Sequence, residues 1–197
     1  TIRELREGWF GKNNAMREGV ALTRGDWLCF TDADCWFTST KALTVAMRRA
    51  IEIDADFLTL LPMLEQKTTW EQVIQPACAI MMVSWFQPLR VNNPKSKVAY
   101  SNGQFMLMNR ACYDGIGGHE RVRTELNEDM VMGRYAKAEG YNLRVVENIG
   151  LSRTHMYATI SEAWYGWSRI FHGSIPSIAQ LGLAAFWHVL FAIGPWI

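Results

Sequence analysis

The stretch that most constrains this chain is Gly25 to Thr38, GDWLCFTDADCWFT. Trp27 to Phe30 is an apolar run of strand length, punctuated at its start by Gly25 and Asp26. It runs out into two carboxylates, Asp32 and Asp34. In an extended chain side chains alternate faces, so the two acids share a side and Ala33 takes the other. Like charges held side by side are costly unless something positive lies between them. A hard divalent cation with oxygen ligands answers that need, and Mg²⁺ typically shares such a site with substrate phosphates. The carboxyl end of a strand is also where open α/β sheets bind ligands. A turn that uses Asp for local hydrogen bonds is the competing reading, and three letters alone leave both open.

The flanking elements supply a sheet and its cover. Residues 9–24 read as a glycine turn feeding a helix, capped by Asn13 or Asn14, with Ala15, Val20 and Leu22 as its apolar face. Gly11 and Lys12 then lie ahead of the helix, a place suited to anion contact, although a lone lysine reads first as solvated. Ser39 to Ile53 is a second helix, with Leu43, Ala46, Met47, Ala50 and Ile51 at helical spacing. Phe57 to Leu61 is a strand stopped by Pro62. The order helix, strand, helix, strand favours a mostly parallel sheet with covering helices.

Trp70 to Pro88 is helical but has an apolar centre too short to span a bilayer, so it is a buried or an in-plane interfacial helix. Val91 to Ser101 is a polar loop, Gly103 to Met108 a strand, and Arg110 to Asp114 a short helix. Asn127 is positioned to cap a helix whose first turn holds Glu128 and Asp129, with Met130, Val131, Tyr135 and Ala138 inward and Gly140 at its end. Acids at a helix start compensate its dipole, for under about 1 kcal/mol. Adjacent helical residues do not share a face, so one of the pair can look into a cleft while the other caps. Leu143 to Val146 is a further strand.

With 197 residues, 49% hydrophobic and net charge +1, the chain can bury a core. It lacks the basic excess of a general nucleic-acid binder. Cys29, Cys35, Cys78 and Cys112 have no C-x-x-C spacing and read as buried free thiols of a reducing compartment. Nine tryptophans concentrate late in the chain, which suits a lipid interface. Ile160 to Phe171 is amphipathic, with Ile160, Trp164, Trp167 and Phe171 on one side. Ile178 to Ile197 contains no Asp, Glu, Lys or Arg and is long enough to cross a hydrocarbon core of about 30 Å; a core helix is the alternative. Arg153, Arg169 and His172 precede it, which by the positive-inside rule puts the domain before it in the cytoplasm. A start at Thr1 and an end inside an apolar run suggest a fragment.

Five blocks, GWFGKNNAMREG, GDWLCFTDAD, VNNPKSKVAYSNGQFMLMNR, GIGGHERVRTELNEDMVMGRYAKAEGY and EAWYGWSR, stand in an order that resembles a family 2 glycosyltransferase of the GT-A fold. The likeness is to the membrane-bound ceramide-glucosyltransferase-like and hopanoid-biosynthesis-associated members. It implies an N-terminally truncated chain: residues 1–157 as the C-terminal part of a mixed-sheet α/β catalytic domain, 158–176 as an interfacial helix, and 177–197 as the start of a transmembrane region. The family's upstream nucleobase-holding strands have no counterpart, and Glu162 to Trp167 stands where many relatives carry Q/R-x-x-R-W.

By resemblance, Asp32 and Asp34 hold a divalent cation (Mg²⁺ or Mn²⁺) and the donor diphosphate, Asp34 most directly. Asp129 is the general base with Glu128 beside it, and Lys12 lies near the nucleotide. Gly103, Gln104, Trp164 and Trp167 are acceptor-side residues. The implied reaction is inverting transfer from a nucleotide sugar, a UDP-sugar foremost, to a lipid acceptor at the membrane, with no nucleic-acid partner. A nucleotidyltransferase on a similar sheet, or a non-catalytic scaffold, are the alternatives. His119 and His155 stand as further metal or acceptor contacts, or as structural histidines.

Overall fold

A computed structural model describes residues 4–175 and 177–193. It divides into two compact units, Thr1–Met63 with Pro88–Thr154, and Leu64–Gln87 with His155–Ile197.

The first unit is built on strands β1 (Trp27–Phe30), β3 (Phe57–Leu60), β4 (Met106–Asn109) and β5 (Leu143–Val146), in the order β1-β4-β3-β5. β4 runs antiparallel to both β1 and β3, and only β3 and β5 are parallel. The mostly parallel sheet expected from element order is thus a mixed one. The connection from β3 to β4 reverses direction, and strand order alone does not reveal that. A separate antiparallel pair joins β2 (Cys35–Phe37) to β6 (Ser152–Thr154). These three-residue strands lie more than a hundred positions apart in sequence, and neither carries a periodic signal of its own.

The helices of this unit are α1 (Gly11–Ala21), α2 (Ala42–Glu52), the single turns α4 (Pro88–Val91) and α6 (Gly118–Arg121), α5 (Arg110–Gly115) and α7 (Glu128–Ala138). β3 is buried along its whole length, as the central Phe-Leu-Thr-Leu run requires. α2 meets the sheet through Ala42, Ala46 and Ala50, while Leu43 and Ile51 stay exposed. Small residues let the helix axis approach Leu58, Leu60, Phe105 and Leu107, with which Ala46 and Ala50 form one core cluster.

α1 departs furthest from expectation. Its N-cap is Phe10, so Lys12, Asn13 and Asn14 lie inside the first turn rather than ahead of it. The buried residues are Asn13 and Asn14, whereas Ala15 and Leu22 are exposed. The Asn13 amide donates to the carbonyls of Val122 (2.7 Å) and Glu125 (3.0 Å), which makes a buried polar face tolerable. Of the four cysteines only Cys112 is buried, and Cys29 is exposed on the outer side of the edge strand β1. The alternation of β1, with Leu28 and Phe30 inward, explains that exposure.

The second unit contains α3 (Thr69–Phe86), α8 (Ile160–Ser174) and α9 (Ile178–Ile193). α3 and α8 each begin with a capping box, Thr68 with Glu71 and Thr159 with Glu162. α9 has 16 described residues, and among the described residues no helix is long and apolar enough to cross a membrane. Residues 194–197 of the expected span lie outside the described residues.

Candidate active site

β1 and β4 are antiparallel, with Phe30 opposite Met106. The exit of β1 and the entrance to β4 therefore coincide at one end of the sheet. Each is a tight turn: Cys35 N donates to Asp32 O (3.2 Å), and Phe105 N donates to Asn102 O (3.1 Å). The Thr31 hydroxyl, donating to Gln104 O at 2.9 Å, ties the two turns together. Asp32 and Gly103 are neighbours for this reason, although 71 positions separate them in the sequence.

The start of α7 closes the arrangement. Gly133 lies against Ser101, so close that a Cβ there would stand 2.3 Å from the serine Oγ. Ser101 Oγ in turn donates to Asp129 O at 2.5 Å. Asp129 is then gripped by two main-chain donors: Gly103 N to Oδ2 and Met130 N to Oδ1, each at 2.7 Å. A Cβ on Gly103 would stand 3.2 Å from Asp32 Oδ2, 3.2 Å from Lys12 Nζ and 3.3 Å from Asp129 Oδ2. That glycine occupies the point on which three charged groups converge, and a side chain there would push them apart.

α1 contributes Lys12. Its ammonium bridges Asp32 Oδ1 (2.6 Å) and Glu128 Oε1 (2.7 Å). A cation in the first turn of a helix opposes the dipole, and the two carboxylates offset that cost. Burial by itself would lower the Lys12 pKa, but the charges of Glu128 and then Asp32 outweigh it and hold the ammonium above the ordinary lysine value. Burial, and then the charge of Glu128, raise Asp129 to about 6, against Lys12 and the two N–H donors. A carboxylate poised there is ionised at neutral pH yet basic enough to accept a proton.

The structure thus brings together Lys12, Asp32, Gly103, Glu128 and Asp129. Gln104 is buried beside them in the Gly103 turn. Asp34 is different. Residues 33–34 are turn rather than strand, so the same-side placement expected of an extended chain does not arise that way. The Asp34 side chain is exposed, and its Oδ1 accepts from the Cys35 thiol (3.6 Å).

His119 is fully buried, with Nδ1 2.9 Å from the Tyr113 hydroxyl and its ring edge-on to Phe30 at 5.0 Å. Burial, and then the charge of Lys12, lower its pKa to about 4, so it is neutral at pH 7. In the second unit, His155 Nε2 lies 2.6 Å from Glu71 Oε1. Trp167 is buried, donates to Gln75 Oε1 at 2.8 Å and stacks on Phe171, whereas Trp164 is 72% exposed. Sequence reading missed Ser101 and Gly133, whose role is to seat α7. A glycine in mid-helix was the available signal.

Among the described residues no group of three or more His, Cys, Asp or Glu stands ready to hold a metal. Mg²⁺ and Mn²⁺ do not need an all-protein cage when substrate phosphates complete their shell. The oxygen-only donors Asp32 and Asp34 fit such shared ligation. Asp34 is the better placed, because it has no ion-pair partner among the described residues whereas Asp32 is engaged by Lys12.

Fold and site together define an α/β domain with a lysine-bridged carboxylate centre at one end of a mixed sheet. The profile described as "Glycosyltransferase like family 2" matches residues 1–150, and the chain belongs to that family. Among solved structures it is similar to mannosyl-3-phosphoglycerate synthase from Rubrobacter xylanophilus, at 12% identity and a TM-score of 0.43. The match covers 87% of this chain and 52% of that one, so the chain spans about half the length of that protein. No curated protein sequence matches significantly.

Proposed function

We propose that this chain is the catalytic part of an inverting glycosyltransferase that moves a sugar from a nucleotide-sugar donor to an acceptor hydroxyl. The observation that carries the reading is the Asp129 carboxylate, fixed by two main-chain N–H groups beside the Lys12-bridged Asp32 and Glu128. Transfer requires that the acceptor O–H lose its proton and that the diphosphate leave with its charge neutralised. Asp129 takes the proton as the acceptor oxygen bonds to the anomeric carbon and the bond from that carbon to the diphosphate oxygen breaks. Lys12 supplies positive charge on the leaving-group side, and Asp32 and Glu128 fix its position. A divalent cation held by Asp34, with Asp32, would supply Lewis-acid neutralisation of the diphosphate. One base and in-line attack give inversion; a covalent intermediate would need a second carboxylate on the opposite face.

The finer assignments belong to the same proposal. The donor is a UDP-sugar, Gly103 and Gln104 of the first unit serve the acceptor, and Trp164 and Trp167 of the second unit carry an acceptor role by the sequence resemblance alone. The acceptor is a lipid, as the resemblance of the five sequence blocks to ceramide-glucosyltransferase-like and hopanoid-associated enzymes implies. The protein sits at a membrane with this domain on the cytoplasmic side. Exposed Trp164 and Tyr165 on α8, and Phe186, Trp187 and Leu190 on α9, support the lipid setting.

The test is product analysis with the full-length protein, membranes and a panel of nucleotide sugars. Sugar transfer with release of nucleoside diphosphate is expected. Release of pyrophosphate from a nucleoside triphosphate would replace this reading with nucleotidyl transfer.

A further inference from the structure

Away from the carboxylate centre, the first unit carries a second concentration of charge, and it is all positive. An open cavity of about 520 Å³ is lined by Arg90, Asn93, Lys95, Ser96, Lys97 and Val98, all from α4 and the loop that follows it. Two more cations clamp this loop from the α7 and β5 side. Lys137 Nζ donates to Asn93 O at 2.7 Å, and Arg144 donates to Asn92 O. Asn92 also pairs with the main chain of Val145 in both directions, Nδ2 to O at 2.8 Å and N to Oδ1 at 2.7 Å. The loop is therefore a fixed platform on the edge strand β5.

Among the described residues, none of Arg90, Lys95, Lys97, Lys137 and Arg144 has a carboxylate within ion-pairing distance. Elsewhere in the same unit the basic side chains of Arg6, Lys12, Arg17, Arg49, Arg121 and Arg123 are all paired with acids. Arg24, Lys41, Arg48, Arg110 and Arg153 of this unit also lack an ion pair among the described residues, but they are scattered along the sequence, whereas Arg90, Lys95 and Lys97 line one cavity. The self-repulsion of the cluster registers on Lys137, whose pKa is lowered by burial and then by the charge of Arg144. Leu89, next to Arg90 on α4, is 87% exposed.

We infer that this loop is a docking surface for the anionic headgroups of a lipid bilayer. Three features favour a bilayer over a small soluble anion. The cavity is open and formed by one surface loop, its cations are exposed, and a bare leucine flanks them, ready to enter the headgroup layer. The inference stands independently of the transfer reading, because none of these residues belongs to the carboxylate centre.

The test is co-sedimentation of the full-length protein with vesicles of phosphatidylcholine alone and of phosphatidylcholine doped with phosphatidylserine. Apolar helices elsewhere bind both kinds, so the readout is the ratio of the two affinities. The expected wild-type preference for anionic vesicles is on the order of a hundredfold for three surface cations at low salt, shrinking as salt screens it. The triple variant Arg90→Gln, Lys95→Gln, Lys97→Gln should abolish the preference, and the charge-keeping variant Arg90→Lys, Lys95→Arg, Lys97→Arg should retain it.

Equal wild-type binding to both vesicles, or an undiminished preference in the folded glutamine variant, overturns the proposal. So does stronger binding of inositol hexakisphosphate or of a short single-stranded RNA at the same salt, which would assign the surface to a soluble anion or a nucleic acid.

Discussion

Asp129→Asn in the full-length protein is expected to lower kcat by about a hundredfold to ten-thousandfold, the range that a positioned general base contributes. The amide keeps the shape of the carboxylate and cannot accept the proton. KM for the nucleotide sugar should change little if, as proposed, the donor diphosphate is held through Lys12, Asp32 and Asp34 rather than through Asp129. Stability gives an independent readout. The folded-state pKa of Asp129 is raised to about 6 from an ordinary 3.8, so its ionised form is disfavoured in the fold. Its contribution to stability is present in full below the unfolded value and is lost as pH rises through about 6. The asparagine variant should lack that pH-dependent loss, while its amide nitrogen, unlike the carboxylate oxygen it replaces, cannot accept from Gly103 N or Met130 N and costs a constant amount at every pH. Wild-type activity, by contrast, should rise with pH with a midpoint near 6, as the base ionises. Near-normal turnover in Asp129→Asn, or a variant whose stability falls through pH 6 just as that of wild type does, would contradict the assignment.

Lys12→Met should be the most destabilising single change at the centre. Glu128 is 1% exposed, and the methionine would leave its carboxylate buried without a counter-charge. Removing one partner of a buried pair costs about 3–5 kcal/mol. The Lys12 side chain is 44% exposed, so solvent reaches it and a loss of about 2 kcal/mol is expected instead. Glu128→Gln in the Lys12→Met background should restore most of that loss, because the unpaired charge is then gone. Turnover should stay low in the double variant, since the positive charge on the leaving-group side is still missing. Urea denaturation of the four proteins of this cycle measures the coupling; additive effects would show that Lys12 and Glu128 do not act as a pair.

The parts of this molecule that were legible in the sequence are those fixed by short-range pattern. β1 over Trp27–Phe30 and β5 over Leu143–Val146 follow from apolar runs bounded by turn residues, and α7 begins at Glu128 just after Asn127. What was not legible depends on distant partners. The polar face of α1 is buried because carbonyls at Val122 and Glu125 receive Asn13, and hydropathy counts such a residue as solvated. Lys12 is singled out by resemblance as a residue near the nucleotide, but the same blindness hid its pairing with Asp32 and Glu128, which come from different parts of the chain. The meeting of Asp32 with Gly103 follows from antiparallel pairing of β1 with β4, and the order of elements pointed toward a parallel sheet. On α7, Met130 is buried as expected, but Val131 and Tyr135 are only half-buried and Ala138 is exposed, whereas Met132, Gly133 and Ala136 are buried, because Gly133 sets the helix against Ser101.

The stereochemistry of the transferred sugar tests the central claim most directly. With a nucleotide sugar of known anomeric configuration and full-length protein, NMR of the first-formed glycoside should show the opposite configuration, produced by one attack with Asp129 as the only base. A product that keeps the donor's configuration would require a second carboxylate on the far side of the sugar, and the arrangement of Asp129, Lys12 and Asp32 would then not be the reacting centre.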